Sequence, residues 1–123
     1  MKILSVDDSA IIRKIIRGTT EVLGYEFLEA ANGEEALSVL QNEHDNVSLI
    51  LLDWNMPVMD GFSTLKAVKS DARFSGIPVM MVTTEGEKNH VVQAIKAGAT
   101  HYLIKPFTPE DLMTHMMECI GPN

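Results

Sequence analysis

The apolar residues of this chain fall into two alternating kinds of run. Lys2-Ile3-Leu4-Ser5-Val6, Leu49-Ile50-Leu51-Leu52 and Ile77-Pro78-Val79-Met80-Met81-Val82 are nearly unbroken, too short for helices and bounded by turn residues. Such runs read as strands buried on both faces, the kind found in parallel sheets covered by helices. Tyr25 to Glu29 and Thr100 to Ile104 complete a set of five, with Pro78, which lacks a backbone donor, placed at the start of its strand. Between the strands the spacing turns helical. Ile11, Ile12, Ile15, Ile16, Val22 and Leu23 form one face after the capping residues Asp7-Asp8-Ser9, and Gly24 ends that helix. Asn32-Gly33-Glu34-Glu35 opens a helix with Ala36, Leu37 and Leu40, and Asp60-Gly61 opens one with Phe62, Leu65 and Val68. Val91, Val92 and Ile95 sit in a helix from Glu87 to Ala97 that stops at Gly98. Thr108-Pro109-Glu110-Asp111 starts the last, which carries Leu112, Met113, Met116, Met117 and Ile120. Five strands alternating with five helices predict a parallel α/β sandwich, for which right-handed crossovers leave few arrangements.

Composition narrows the picture. With 123 residues, 46% hydrophobic and 22% charged, the chain suits one globular domain with a real core. The first apolar run meets Asp7-Asp8 at once, unlike a signal peptide, and no run approaches a membrane span, so a soluble cytoplasmic protein is expected. The formal net charge of -7 argues against a nucleic-acid surface. Cys119 is the single cysteine, expected as a buried thiol on the apolar side of the last helix.

The candidate chemistry lies where strands end. In a parallel sheet all carboxyl ends share one edge, so Asp7 and Asp8, Asp53, Thr83 and Lys105 can meet there. Each alone has a plain reading as a cap, a turn residue or a surface charge. Together, three carboxylates against one ammonium leave a deficit of two charges, and an all-oxygen site with that deficit suits Mg²⁺. With a phosphate arriving, Lys105 and the metal can neutralise its oxygens, Thr83 can donate a hydrogen bond, and Asp53 can act as nucleophile to form an aspartyl phosphate.

At this point the chain closely resembles the bacterial response-regulator receiver domain of the CheY type. The matching pieces are Ile3-Leu4-Ser5-Val6-Asp7-Asp8-Ser9, Asp53-Trp54-Asn55-Met56-Pro57 with Gly61, Val82-Thr83-Thr84, Gly98-Ala99 and Tyr102-Leu103-Ile104-Lys105-Pro106-Phe107. The resemblance spans essentially the whole chain. It implies a doubly wound, flavodoxin-like α/β fold with strand order 2-1-3-4-5, and a single receiver domain over 1–123 with no effector domain. It further implies that Asp53 accepts a phosphoryl group from a sensor histidine kinase or a histidine phosphotransfer protein. Asp8, Asp53 and the Asn55 backbone carbonyl would ligate Mg²⁺, with Asp7 acting through water, and Lys105, joined by a cis bond to Pro106, would pair with the phosphoryl group. Thr83 and Tyr102 would form the switch, and the fourth helix, fifth strand and fifth helix the output face. Reversing a population from 1:99 to 99:1 takes about 5.5 kcal/mol, which two charge-assisted hydrogen bonds at roughly 1.5 to 3 kcal/mol each approach.

Asn55 and Glu85 stand where this family flanks the path of the hydrolytic water, and Asn with Glu resembles the pair in chemotaxis regulators. Thr84 departs from the family, whose residue there is more often small, and its bulk is expected to oppose an inward turn of Tyr102. His44, His90, His101 and His115 show no metal-ligand spacing and are expected to be surface or satisfied histidines. The expected role is a stand-alone, monomeric phosphoacceptor rather than an enzyme. It would act on a partner such as a flagellar motor switch, without nucleic acid or membrane. A phosphorelay intermediate and a phosphorylation-independent scaffold are the alternatives. A phosphatase of the haloacid-dehalogenase kind would want a second Asp where Asn55 stands, and a flavin module would want a phosphate cradle where Asp7-Asp8 would repel phosphate.

Overall fold

The computed structural model describes residues 1–121. Its elements are β1 (Lys2–Val6), α1 (Ala10–Val22), β2 (Glu26–Ala30), α2 (Gly33–Glu43), a 3-10 turn (His44–Asn46), β3 (Val47–Leu52), α3 (Gly61–Ser70), β4 (Val79–Thr83), α4 (Lys88–Lys96), β5 (His101–Ile104) and α5 (Pro109–Ile120). The strands form one parallel sheet in the order β2-β1-β3-β4-β5, the order the resemblance implied. The expected elements are all present, with ends shifted by one or two residues, and Pro78 lies just ahead of β4.

Alternation along the strands builds two cores. Leu4, Val6, Ile50, Leu52, Val79 and Met81 face Ala36, Leu40, Leu65, Val68 and Ala94, so α2, α3 and α4 cover one side. Ile3, Leu49, Leu51, Met80, Val82 and Leu103 face Ile16, Leu112 and Met116 on α1 and α5. This two-sided burial is why Leu49 to Leu52 of β3 reads as an unbroken apolar run.

Four helices start on a side-chain cap. Ser9, Asn32, Asp60 and Thr108 accept from the backbone N–H of Ile12, Glu35, Ser63 and Asp111 at 3.3, 2.9, 2.8 and 3.0 Å. Glu35 Oε1 in turn accepts from the N–H of Ala31, one residue before the N-cap, a variant of the capping box expected from the sequence.

Two apolar faces are corrected by the structure. On α1, Ile11, Ile15 and Val22 are exposed, whereas Ile16 is buried and Ile12 and Leu23 pack against the core. Ile11, Ile15 and Val22 each precede a member of the second stripe by one residue, so the two stripes lie 100° apart on the helix and only one faces the sheet. On α4 the inward residue is Ala94, while Val92 and Ile95 are exposed. Cys119 is half-buried against the core, and burial pushes its thiol up to about 11.

Gly61 is fixed by close approach, because a Cβ there would lie 1.9 Å from the Asp53 carbonyl oxygen. That contact is backbone on backbone and cannot yield by a rotamer change. Gly61→Ala is expected to destabilise the fold by about 2 to 3 kcal/mol, read as a lower urea midpoint. Native Cys119 should alkylate at pH 8 roughly a hundredfold more slowly than in urea, since a thiol raised from 9.0 to about 11 holds that much less thiolate. Equal rates would contradict the burial.

Candidate functional site

Sheet register brings the acids together. Val6 pairs with Leu52 across β1 and β3, and the Asp53 N–H donates to the Val6 carbonyl at 3.0 Å, so Asp7 and Asp53 leave the sheet side by side. Asp7, Asp8 and Asp53 each offer a carboxylate oxygen within 4.8 Å of the others. Asp7 and Asp53 are buried and Asp8 is exposed. Backbone N–H groups fix the two buried carboxylates: Ser9 donates to Asp7 Oδ1 at 2.9 Å and Trp54 to Asp53 Oδ1 at 2.7 Å.

Lys105 arrives from the far edge of the sheet. Its N–H donates to the Thr83 carbonyl at 2.9 Å, and its peptide bond to Pro106 is cis. Lys105 Nζ lies 2.7 Å from Asp7 Oδ2 and 3.3 Å from Asp53 Oδ2, so one ammonium bridges both buried acids. Buried charge is tolerated only when paired, and Lys105 supplies the pairing. Burial holds the Asp7 carboxyl above its ordinary value, the hydrogen bonds from Lys105 and Ser9 offsetting only part of that rise. Three carboxylates less one ammonium leave two negative charges on oxygen ligands, which fits a hard divalent cation.

The rim joins two loops. Asn55 Nδ2, after β3, donates to Glu85 Oε1, after β4, at 2.8 Å. The Glu85 N–H donates to the Oγ1 of buried Thr83 at 3.3 Å, and the Tyr102 hydroxyl donates to the Glu85 carbonyl. Tyr102 packs against the core, and burial raises its hydroxyl to about 12. Thr84, next to Thr83, is exposed, and the Tyr102 ring is half-buried.

Sequence reasoning missed an aromatic group beside the acceptor. Trp54 stacks on Phe62 with centroids 5.1 Å apart, and His90 sets its edge against Trp54 at 4.9 Å. His90 was expected to be an ordinary surface or satisfied histidine. Its Nδ1 is instead buried without a hydrogen-bond partner among the described residues, 3.7 Å from Glu85 Oε2. The available signal was spacing, because His90 lies four residues before the buried Ala94 and so shares its inward face.

Comparison with known proteins agrees with this geometry. A family model described as "Response regulator receiver domain" matches residues 3–117. The chain is 47% identical to Chemotaxis protein CheY1 of Helicobacter pylori, over all of this chain and 99% of that one. Among solved structures, chemotaxis response regulator CheY4 of Vibrio cholerae is 39% identical with a TM-score of 0.88, covering 96% of this chain and 97% of that one. The CheX-CheY-BeF3-Mg+2 complex from Borrelia burgdorferi contains a chain 26% identical with a TM-score of 0.92, covering 99% of this chain and 90% of that one.

The charge deficit has a measurable consequence. Without divalent cation, Asp8→Asn should raise the melting temperature by about 3 to 5 °C by relieving repulsion. With a hard divalent cation at a hundred times its dissociation constant, the unsubstituted protein should gain about 2.7 kcal/mol of stability. Asp8→Asn should lose most of that gain, as thermal melts in chelator and in cation would show.

Proposed function

The chain belongs to the response regulator receiver domain family, and from that premise we propose that Asp53 accepts a phosphoryl group from a phosphohistidine donor in chemotaxis signalling. The donor is a sensor histidine kinase or a histidine phosphotransfer protein. A P–O bond forms to the Asp53 carboxylate as the P–N bond to the donor imidazole breaks. Trp54 N–H already holds Asp53 Oδ1, which orients the carboxylate before the donor arrives. Lys105, shared between Asp7 and Asp53, is the cation placed to follow the new charge onto the phosphoryl oxygens. That shared ammonium is the observation carrying the proposal, because no cap or structural ion pair needs one lysine between two buried acids.

Asp8, Asp53 and the Asn55 carbonyl would hold Mg²⁺, with Asp7 acting through water; bound there, the ion supplies positive charge to the reacting phosphoryl group. The Borrelia burgdorferi CheY complex, with its BeF3 and Mg+2, supports this reading by likeness. Thr83 is buried beside the site and can turn its hydroxyl proton toward the phosphoryl group. Tyr102 then follows through Glu85, to which both residues are bonded. The response is read on α4, β5 and α5, where Val92, Ile95, Ile104 and Met117 are exposed. The partner is a protein, such as a flagellar motor switch, and the chain's own chemistry is limited to gaining and losing its phosphoryl group.

Incubation with Mg²⁺ and a small acyl phosphate should place one phosphoryl group on the peptide containing Asp53, read by mass spectrometry, and change Trp54 fluorescence. Asp53→Asn should abolish both signals, and Lys105→Ala should slow the reaction by about a hundredfold. A protein that forms no adduct and shows no fluorescence change would instead be a scaffold working without phosphorylation.

A further inference from the structure

Glu85 is tethered through almost every polar group it has. Its N–H is bonded to Thr83, its carbonyl to Tyr102 and its Oε1 to Asn55. Only Oε2 lacks a hydrogen bond among the contacts of the described residues, and it faces His90 Nδ1 at 3.7 Å. That nitrogen is itself buried, with no hydrogen-bond partner among the described residues. Two complementary groups without other hydrogen bonds, facing each other beside a reactive carboxylate, form an incomplete contact rather than ordinary packing. The His90 ring is held in place by its edge contact with Trp54, whose N–H holds Asp53.

We propose, on the phosphoacceptor reading of Asp53, that His90 is a positioning residue that holds Glu85 against Asn55 and so lengthens the life of the acyl phosphate. With its proton on Nδ1, His90 donates to Glu85 Oε2 and secures the bond joining the loops after β3 and β4. That bond limits the approach of water to the phosphoryl group. In hydrolysis, a new P–O bond forms from water and the P–O bond to the Asp53 oxygen breaks. The carboxylate is restored, and both protons of the water leave on inorganic phosphate. Without His90, Glu85 is free to swing away from the phosphoryl charge, and water enters.

The test compares His90→Phe, which keeps a ring against Trp54, with His90→Asn, which keeps a donor near the Nδ1 position. After loading with a small acyl phosphate and removal of the excess, His90→Phe should shorten the half-life of the Asp53 phosphoryl group by about tenfold, the factor one charge-assisted hydrogen bond supplies. His90→Asn should restore it to within about twofold, a rescue that loss of packing alone would not produce. A His90→Phe half-life equal to that of the unsubstituted protein, or a His90→Asn half-life as short as that of His90→Phe, overturns the proposal. In the unphosphorylated protein, NMR should show the Asn55 side-chain amide protected from exchange, with that protection lost in His90→Phe and kept in His90→Asn. Unchanged protection in His90→Phe also overturns it. Should the unsubstituted protein form no acyl phosphate, the receiver reading fails and the lifetime claim falls with it, while the amide signal still decides whether His90 holds Glu85.

Discussion

One lysine holding two buried aspartates is the constraint on which the rest of this structure depends. Lys105 follows the edge strand β5, whereas Asp7 and Asp53 follow β1 and β3 nearer the middle of the sheet. Bringing them together requires the order β2-β1-β3-β4-β5 and the register that sets Val6 beside Leu52. A slip of one residue would turn the side chains of β3 to the opposite faces and carry Asp53 out of line with Asp7. The fold is thus a means of forcing like charges together and supplying slightly too little counter-charge. That shortfall leaves oxygen ligands with two uncompensated negative charges, a donor set suited to a hard divalent cation.

The strands and the acidic centre were legible because both obey local rules. A strand buried on two faces is mostly apolar, and a residue at or just past the carboxyl end of a parallel strand lies at the shared edge, so Asp7, Asp53, Thr83 and Lys105 could be placed from position alone. What periodicity could not resolve was which of two adjacent stripes a helix buries. On α1 both stripes are apolar, and the choice between Ile11 and Ile12, or Ile15 and Ile16, is made by the orientation of the helix on the sheet. His90 and Phe62 were missed for a related reason. They sit on helices and reach the acceptor only through Trp54, a convergence created by packing rather than spacing.

The same packing locates where the structure can change most cheaply. α1, α2, α3 and α5 each begin with a side chain bonded to the backbone, whereas the N-cap of α4, Glu87, makes no such bond. α4 is also the shortest of the five, at 9 residues, and Ala94 is its one buried residue. Little apolar surface and a missing cap make it the helix whose displacement costs least. It follows directly on the loop in which Glu85 is bonded to Thr83, Tyr102 and Asn55. A rearrangement of charge at Asp53 that drew Thr83 inward would therefore pull on Glu85, and through it on the element least able to resist. Because α4 is exposed on its outer face at Val92 and Ile95 and its one buried residue is the small Ala94, a small displacement there would change the exposed surface at little cost in packing. The rigidity that crowds the carboxylates and the looseness of α4 are complementary, since a charge change confined to a rigid edge reaches the surface only through a segment that can yield.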